Sequence, residues 1–369
     1  MRKLLNLMAV PVACSTLAFG LMTLGSSGAA ASSSGKAGVG LKTGWIYEDV
    51  VTDKGYDEEW YNSGQLYLEK TLGIKAQYVQ SEPYTSQWTA TALSMAAAGA
   101  KILVDVGGGG SLFYAACKKL PKVACVDTDE VKPYPSNDTA ISPESWDTSY
   151  LEGIAAGMLT KTGVIGWLEG YATAASSVRN LNALVLGCQV THPGCRAIAD
   201  VVNSWYDPPV ETEDLNALVD AHADILAGVE SDASSVVTVA QKRGVWAIPL
   251  WDNPVSPPKA FLSAGDANYG PTLLKIFKRV IKGTYKGGSL DLFGFGQGLH
   301  LAPFGPDVPQ AVKARVATAE AQMQAGHNFF CGPIYSNTGA LKVKAGSCLS
   351  ALYMFGWNTW YVKGVSISK

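Results

Sequence analysis

Hydrophobic and polar positions follow a regular succession from residue 42 onward, in which short apolar runs alternate with amphipathic stretches. The short runs are typical of buried strands, whereas apolar residues three or four positions apart predict helices. Because the connections are only a few residues long, the pattern predicts a parallel sheet covered by helices on both faces. The predicted strands are 42–49, 75–80, 101–106 and 122–128, and the predicted helices are 58–73, 86–99 and 111–120.

The same rhythm repeats after residue 139 and predicts a second, similar half. After the segment 139–145, helices are predicted at 149–163, 174–188, 214–221 and 232–243, and strands at 163–170, 197–205, 223–229 and 245–252. Residues 259–287 add a strand and a basic amphipathic helix, and 310–326 predict a last helix. Two doubly wound halves imply two lobes, and ligands of such sheets bind outside the carboxyl ends of the strands. The loops that follow the strands are therefore the candidate site.

The first 31 residues have the pattern of an export signal. Arg2 and Lys3 precede a long uncharged apolar run, and the segment ends in small residues that include Ala29 and Ala31. This order predicts a signal peptide that is cleaved after export, and hence a periplasmic or extracytoplasmic location. Two alternatives remain open, which are a membrane anchor formed by the apolar run and a lipid anchor at Cys14. After residue 35 no uncharged apolar stretch reaches the roughly 18 residues that a membrane span requires.

Composition and charge exclude several classes of protein. The chain of 369 residues is 47% hydrophobic and 16% charged, which is too apolar for a disordered chain. It has 29 Lys and Arg against 31 Asp and Glu, and loss of the predicted leader would leave 27 against 31. A net charge of about −4 gives no basic surface for nucleic acid or an anionic membrane.

The cysteines beyond Cys14 fall into three local pairs. In an exported protein an even number of cysteines with short spacings indicates disulfides. A zinc site is the alternative, but no C-x2-C spacing occurs and the four histidines are scattered singly. No metal and no cofactor are expected. The predicted disulfides join Cys117 with Cys125, Cys188 with Cys195, and Cys331 with Cys348.

Aromatic and carboxylate side chains recur where the predicted strands end. Together they describe a polar cleft with flat surfaces, suited to stacking a planar ring while polar groups bond to its edge. Each one alone is equally explained as packing or, for Asp53 and Asp57, as a helix N-cap. The candidate ligand-binding residues are Asp53, Tyr56, Asp57, Asp127, Trp146, Trp205, Asp232, Asp252 and Asn268, and Asp129, Glu230 and Ser231 stand at further strand ends. Four glycines at 107–110 indicate either a close approach of backbone to ligand or a tight turn.

The sequence offers little support for catalysis. It has no G-x-S-x-G or H-E-x-x-H motif, no histidine at a predicted strand end, and no cysteine left free once the three pairs form. We therefore expect a protein that is not an enzyme. A hydrolase that uses two carboxylates remains the alternative.

Several longer phrases resemble one known family, the basic membrane protein or purine-nucleoside-receptor-like family of ABC transporter substrate-binding proteins. The phrases run through nearly the whole mature chain, and NSWYDP and the WYVKGV ending are the more specific ones. They are GWIYEDVVTDKGYDEEW, SYLEGIAAGMLTKTGVIGWLEG, NSWYDPPVE, ANYGPTLLKIFKRVIKGTYKGG, LAPFGPDVP and CGPIYSNTGALKVKAGSCLSALYMFGWNTWYVKGV.

The resemblance implies an α/β protein with the type I periplasmic-binding-protein fold, in which two doubly wound parallel-sheet lobes are joined by three hinge crossings. The crossings would fall near 145, 257 and 288. Lobe 1 would then comprise 41–145 plus 258–288, and lobe 2 would comprise 146–257 plus 289–369. A monomer that delivers its ligand to an ABC permease in the membrane is also implied.

The resemblance further implies a purine base or nucleoside as ligand. By matched motif position, Tyr56 and Trp205 would stack on the ring from opposite lobes, and Asp127 and Asp252 would make polar contacts. Asp57 stands where many nucleoside binders have Asn, and a carboxylate there favours a ring N–H, an amino group or ribose hydroxyls. Two alternatives remain, which are another flat heterocycle such as a flavin and a secreted hydrolase of nucleosides or glycosides.

Overall fold

The computed structural model describes residues 36–128, 134–172, 174–228 and 232–368. The predicted signal peptide and Cys14 lie outside these ranges, as do Asp129, Glu230 and Ser231. Strands and helices alternate along most of the described chain, as the pattern of apolar positions predicts.

Of the fifteen strands in the described ranges, the eight predicted in the two halves end within four residues of the predicted positions, one lies in 259–287 as predicted, and six were not predicted. In chain order the strands are β1 (Lys42–Tyr47), β2 (Lys75–Val79), β3 (Ile102–Val106), β4 (Ala124–Asp127), β5 (Asp138–Pro143), β6 (Val164–Glu169), β7 (Arg196–Val201), β8 (Ile225–Gly228), β9 (Trp246–Pro249), β10 (Gly265–Ala267), β11 (Ser289–Phe293), β12 (Leu299–Leu301), β13 (Ile334–Tyr335), β14 (Leu341–Val343) and β15 (Val365–Ile367).

The helices cover both faces of the sheets. They are α1 (Tyr56–Glu59), α2 (Tyr67–Leu72), α3 (Ser86–Ala97), α4 (Gly110–Lys119), α5 (Ser145–Leu159), α6 (Ala175–Thr191), α7 (Pro208–Asp220), α8 (Ala233–Arg243), α9 (Gly270–Ile281), α10 (Gln310–Gln324) and α11 (Ala351–Phe355), and a π-helical segment, Trp60–Leu66, joins α1 to α2. None of the helices in the described ranges is long and apolar enough to cross a membrane.

The first lobe is built on a six-stranded parallel sheet with the order β11-β5-β4-β3-β1-β2. Side chains alternate between its faces, as the period of a strand requires. Ile46 and Leu103 point into a cluster with α3 and α4. Trp45 and Val104 point to the opposite face, where they join the larger core that includes Phe277 of α9. Both faces are therefore buried, which explains the almost uninterrupted apolar runs.

The second lobe is built on a five-stranded parallel sheet with the order β15-β7-β6-β8-β9. Helices α7 and α8 cover one face, and α5 and α6 cover the other. Helices α5 and α6 approach each other at glycines: a Cβ on Gly153 would lie 2.1 Å from the carbonyl oxygen of Leu184, and one on Gly187 would lie 2.0 Å from that of Tyr150. A larger residue at either position would force the two helices apart.

Two of the predicted lobe boundaries need correction. The sequence places residues 289–293 in the second lobe, but they form β11, which pairs with β5 at the edge of the first sheet. It places residues 258–264 in the first lobe, but Ala247 of β9 bonds to Ala260 and Leu262, so this segment extends the second sheet. The second and third crossings, predicted near 257 and 288, are instead formed where β10 pairs antiparallel with β12. These ladder bonds join residues distant in sequence, so the local pattern does not reveal them.

Three disulfides form among the described residues, in the pairs predicted from spacing. Cys117–Cys125 ties α4 to β4, and Cys188–Cys195 ties the end of α6 to the turn before β7. Cys331–Cys348 closes a loop in the segment that follows α10. None of the three lies at a carboxyl end of a sheet, so their contribution is to the framework.

Candidate ligand-binding cleft

The carboxyl ends of the two sheets face each other. Tyr56, the first residue of α1, packs its ring against Trp251, which follows β9, with the ring centroids 6.2 Å apart. Tyr171, two residues beyond β6, lies close enough to Glu48 and Asp49 of the first lobe that their charges add to the effect of burial and raise its pKa. The loops after the strands therefore form the two walls of one cleft, as predicted.

A group of four aromatic residues lies where the lobes meet. Tyr56 contacts Trp60, Trp251 and Tyr269, and the rings of Trp60 and Tyr269 stack with centroids 3.9 Å apart and planes 21° apart. Tyr269 follows β10, so the group adjoins the crossing strands. The motif position of Tyr56 predicts stacking on a ligand, but its side chain is only 8% exposed because it packs within this group.

Trp205, the predicted partner of Tyr56, forms part of the wall of the second lobe. Its ring lies against the backbone of Gly170, where a Cβ would come within 2.2 Å of the indole. Tyr171 packs edge-on to the same ring at 5.1 Å. Among the described residues the rings of Tyr56 and Trp205 have different partners and do not contact each other. The structure thus brings Trp205 together with Tyr171 rather than with Tyr56.

Three partly exposed tyrosines present flat surfaces at the cleft. Tyr84, Tyr171 and Tyr206 are 49%, 37% and 38% exposed. Tyr84 stacks on Trp88 at 5.4 Å, and its hydroxyl donates a 2.6 Å hydrogen bond to the carbonyl oxygen of Gly107. Tyrosines of this kind offer a ring face for stacking and a hydroxyl for hydrogen bonding.

Two predicted carboxylates accept hydrogen bonds from the first N–H groups of a helix, Asp232 as the N-cap of α8 and Asp53 from just before Gly55, the N-cap of α1. Asp53 accepts hydrogen bonds from the backbone N–H groups of Gly55, Asp57 and Glu58 at 2.9 to 3.1 Å. Asp232 accepts from the N–H groups at the start of α8 and from two serine hydroxyls there. Both side chains lie near Tyr206 at the cleft. After burial, their charges, first that of Asp232 and then that of Asp53, raise the pKa of Tyr206.

Asp57, in α1, and Asp127, the last residue of β4, are both buried. Each is 1% exposed. Burial, followed by the charges of Asp53 and Asp49, raises the pKa of Asp57. Asp127 accepts a hydrogen bond from the N–H of Thr128, and its charge, after burial, raises the pKa of Asp105 on the neighbouring strand. Asp57 and Asp105 therefore favour the protonated form, in which a carboxyl group donates a hydrogen bond.

Asp252 lines a cavity of about 500 Å³ that has walls from both lobes. Glu58, Asn62 and Lys54 come from the first lobe, and Asn253 follows Asp252 in the second. Burial raises the pKa of Asp252 to about 6, although the nearby charge of Lys54 lowers it in part. Lys54 is the only cation among the described residues that line this cavity, and it pairs with Glu58 at 3.2 Å. The cavity is thus strongly acidic.

The remaining two candidates, Trp146 and Asn268, have contacts within the second lobe and at the hinge. Trp146 is 2% exposed, and the guanidinium of Arg179 lies 5.7 Å from its ring centroid in the core of the second lobe. Asn268 belongs to the hinge: its N–H donates to the carbonyl oxygen of Gly298, and its side chain accepts from the N–H of Gly270 at the start of α9. Their contacts indicate packing and hinge geometry.

The four glycines at 107–110 form a tight turn. Gly107, Gly108 and Gly110 have positive φ angles, which glycine adopts without strain. A Cβ on Gly109 would lie 2.0 Å from the indole nitrogen of Trp88. The turn therefore allows Trp88, and with it Tyr84, to lie against the loop.

Tyr84, Tyr171 and Glu169 were not among the predicted site residues. Glu169 ends β6 and Tyr171 follows it by two residues, so a strict reading of strand ends would have included both. Tyr84 lies in the connection between β2 and α3, and only its contact with Gly107 brings it to the cleft.

The fold and the cleft together define a two-lobed binding protein of the type I periplasmic class. Residues 41–302 match the sequence profile of a family described as ABC transporter substrate-binding protein PnrA-like. The match covers well over half of the chain, and the chain belongs to this family. The resemblance carried by the NSWYDP phrase is thereby confirmed.

Known proteins agree with this assignment. A purine-binding protein of Brucella abortus (strain 2308) is 28% identical over 331 residues, which cover 88% of this chain and 93% of the relative. An ABC transporter solute-binding protein from Conexibacter woesei DSM 14684 superposes with a TM-score of 0.61 at 19% identity, over 78% of this chain and 97% of the other. A Caulobacter myo-inositol-binding protein superposes with a TM-score of 0.55 at 12% identity, over 75% and 97%. The two structures support the fold alone.

Proposed function

We propose that this protein is the extracytoplasmic solute-binding component of an ABC importer and that it binds a purine base or nucleoside in the cleft. Family membership supports the transport role, and the purine-binding relative supports the ligand class. In this proposal the protein acts as a monomer, delivers its ligand to a membrane permease, and carries out no chemical step.

One observation carries the proposal for the ligand. Partly exposed rings, Trp205 with Tyr171 on one wall and Tyr84 on the other, stand beside carboxyls at the strand ends. Flat rings favour a planar heterocycle, because stacking buries both faces of such a ligand. Carboxyls such as Asp252 accept from ring N–H and amino groups and from ribose hydroxyls. A purine nucleoside supplies all of these groups.

A thermal-shift screen of the full chain tests the proposal directly. Adenosine, inosine, guanosine, their free bases and riboflavin are each added at increasing concentration, and calorimetry follows for any compound that raises the melting temperature. A ligand present at 100 times its dissociation constant stabilises the folded state by about 2.7 kcal/mol. We expect stabilisation by at least one purine compound. Stabilisation by riboflavin alone, or by none of the purines, would reject the ligand class.

Prolonged incubation separates binding from hydrolysis. The protein is held with each nucleoside at micromolar concentrations, and chromatography follows the free base. We expect the nucleoside to be recovered intact. Release of free base that scales with protein concentration would favour the hydrolase.

A further inference from the structure

The C-terminal segment that follows the family match, residues 303–369, reaches the cleft. We infer that this segment is part of the ligand site, because Tyr361 holds the loop that carries Tyr171. The inference rests on the proposed function only in assuming that the cleft binds a ligand. Tyr361 is a positioning residue, since it acts on the ligand through its hold on this loop.

The backbone on both sides of Tyr361 is fixed to the second lobe. Asn182 on α6 is fully buried, and its side chain accepts from the N–H of Val362 at 2.8 Å and donates to the carbonyl oxygen of Trp360 at 3.0 Å. A few residues later, β15 pairs in parallel with β7. The backbone position of Tyr361 is therefore fixed relative to the second sheet.

The hydroxyl of Tyr361 donates a 2.9 Å hydrogen bond to Oε1 of Glu169. Glu169 is the last residue of β6 and is fully buried. Its other carboxyl oxygen has no hydrogen bond within the described residues. Within the part of the chain that the structure describes, the bond from Tyr361 is thus the one hydrogen bond to the carboxyl group of Glu169.

Glu169 is adjacent in sequence to the loop that packs against Trp205. The next residue, Gly170, lies directly under the indole of Trp205, and Tyr171 packs edge-on to the same indole. Because Tyr171 also lies near Glu48 and Asp49 of the first lobe, the loop takes part in closing the cleft. A shift of Glu169 would therefore displace two aromatic surfaces together.

The test compares Tyr361→Phe with Tyr335→Phe in the full chain. Tyr335 lies on β13 of the same segment and is 44% exposed, so its hydroxyl serves as a matched control. We expect Tyr361→Phe to weaken binding of adenosine or inosine about five- to ten-fold, the size of one hydrogen bond to a carboxyl group. Tyr335→Phe should bind like the unchanged protein. Equal affinities for all three proteins would overturn the inference.

A double-mutant cycle separates positioning from general destabilisation. If Tyr361 acts through Glu169, then Glu169→Ala combined with Tyr361→Phe weakens binding no more than the worse single change. Glu169→Gln keeps an oxygen that accepts from the tyrosine hydroxyl, and we expect it to retain affinity within about two-fold. Additive losses, or a loss in Glu169→Gln as large as in Glu169→Ala, would contradict the mechanism.

Hydrogen exchange gives a readout that does not depend on ligand. The N–H of Val202 donates to the carbonyl oxygen of Glu169, and that of Ala174 donates to the carbonyl oxygen of Tyr171. In Tyr361→Phe these two amides should exchange several-fold faster, while amides of the first sheet are unaffected. If neither nucleoside binds any variant, the purine proposal fails, and this exchange result alone decides whether Tyr361 holds the loop. Unchanged exchange would reject that role.

Discussion

The ring of Tyr56 in the first lobe packs against the indole of Trp251 in the second, with the planes tilted by 53°. Both side chains are almost fully buried. Because Tyr56 begins the helix that follows β1 and Trp251 follows β9, the contact joins the two lobes at the base of the cleft. This contact makes the pair a structural link between the lobes, and the ligand contact that motif position implies for Tyr56 stays a prediction.

Trp251→Ala should therefore destabilise the protein strongly. Removal of a large buried aromatic side chain costs about 3–5 kcal/mol, because the cavity left behind is only partly filled. Urea unfolding followed by circular dichroism measures the change. Val255→Ala, at a fully exposed position nearby, should change stability by no more than about 0.5 kcal/mol. A loss below about 1 kcal/mol for Trp251→Ala would show that the contact contributes little.

Trp205→Ala should weaken ligand binding while leaving the fold intact. Stacking of a base on an aromatic ring contributes about 1–3 kcal/mol, so affinity for the best purine ligand should fall by at least about five-fold. Calorimetry measures the change. Trp246→Ala is the control, because Trp246 begins β9 and so lies at the end of that strand away from the cleft. Equal affinity in Trp205→Ala and the unchanged protein would show that Trp205 does not stack on the ligand.

Local features of the fold were predictable from the sequence. Gly73 is predicted to close the helix that follows β1, and it does so with a φ of 72°. A helix N-cap is one of two interpretations of Asp53, and its side chain does accept from N–H groups at the start of α1, although the N-cap residue is Gly55. Such signals depend only on neighbours a few residues away, so they can be recognised in a single sequence.

Long-range pairings were not predictable. Residues 289–293 belong to the first sheet because they pair with β5, and the local sequence does not indicate this pairing. The bond from Tyr361 to Glu169 joins residues 192 positions apart, and the local pattern, which shows Glu169 only as the end of a strand, does not reveal its partner. The stacking of Tyr56 and Trp205 on a ligand ring stays a prediction, because it depends on how the two lobes pack around that ring.

A nucleoside 5′-monophosphate should bind more weakly than the nucleoside. At pH 8 Asp252, whose pKa is raised to about 6, is ionised, and together with Asp232 it repels a phosphate, while Lys54 is already paired with Glu58. We expect at least a ten-fold weaker affinity for adenosine monophosphate than for adenosine, measured by calorimetry at low salt. Added salt should narrow the difference, since it screens partly exposed charges. Tighter binding of the monophosphate would show that a cation such as Lys54 leaves its carboxylate partner and faces the ligand.

Asp147 should make the stability of the protein fall as the pH rises toward neutrality. Burial first, and then the charge of Glu144, raises the pKa of Asp147 to about 7, well above the value near 4 of an unfolded aspartate. Between these two values the folded state holds a proton that the unfolded state has released, so the free energy of unfolding decreases with rising pH across that window and levels off above it. The total change is up to about 4 kcal/mol.

Asp147→Asn provides the comparison, because asparagine has nearly the same shape and does not titrate. The difference in unfolding free energy between this variant and the unchanged protein should grow in favour of the variant from about pH 4 to about pH 7 and stay constant above that. Urea unfolding at a series of pH values gives both curves. Parallel curves over this range would mean that Asp147 is already ionised in the folded protein near pH 4, and that water or a nearby cation compensates its burial.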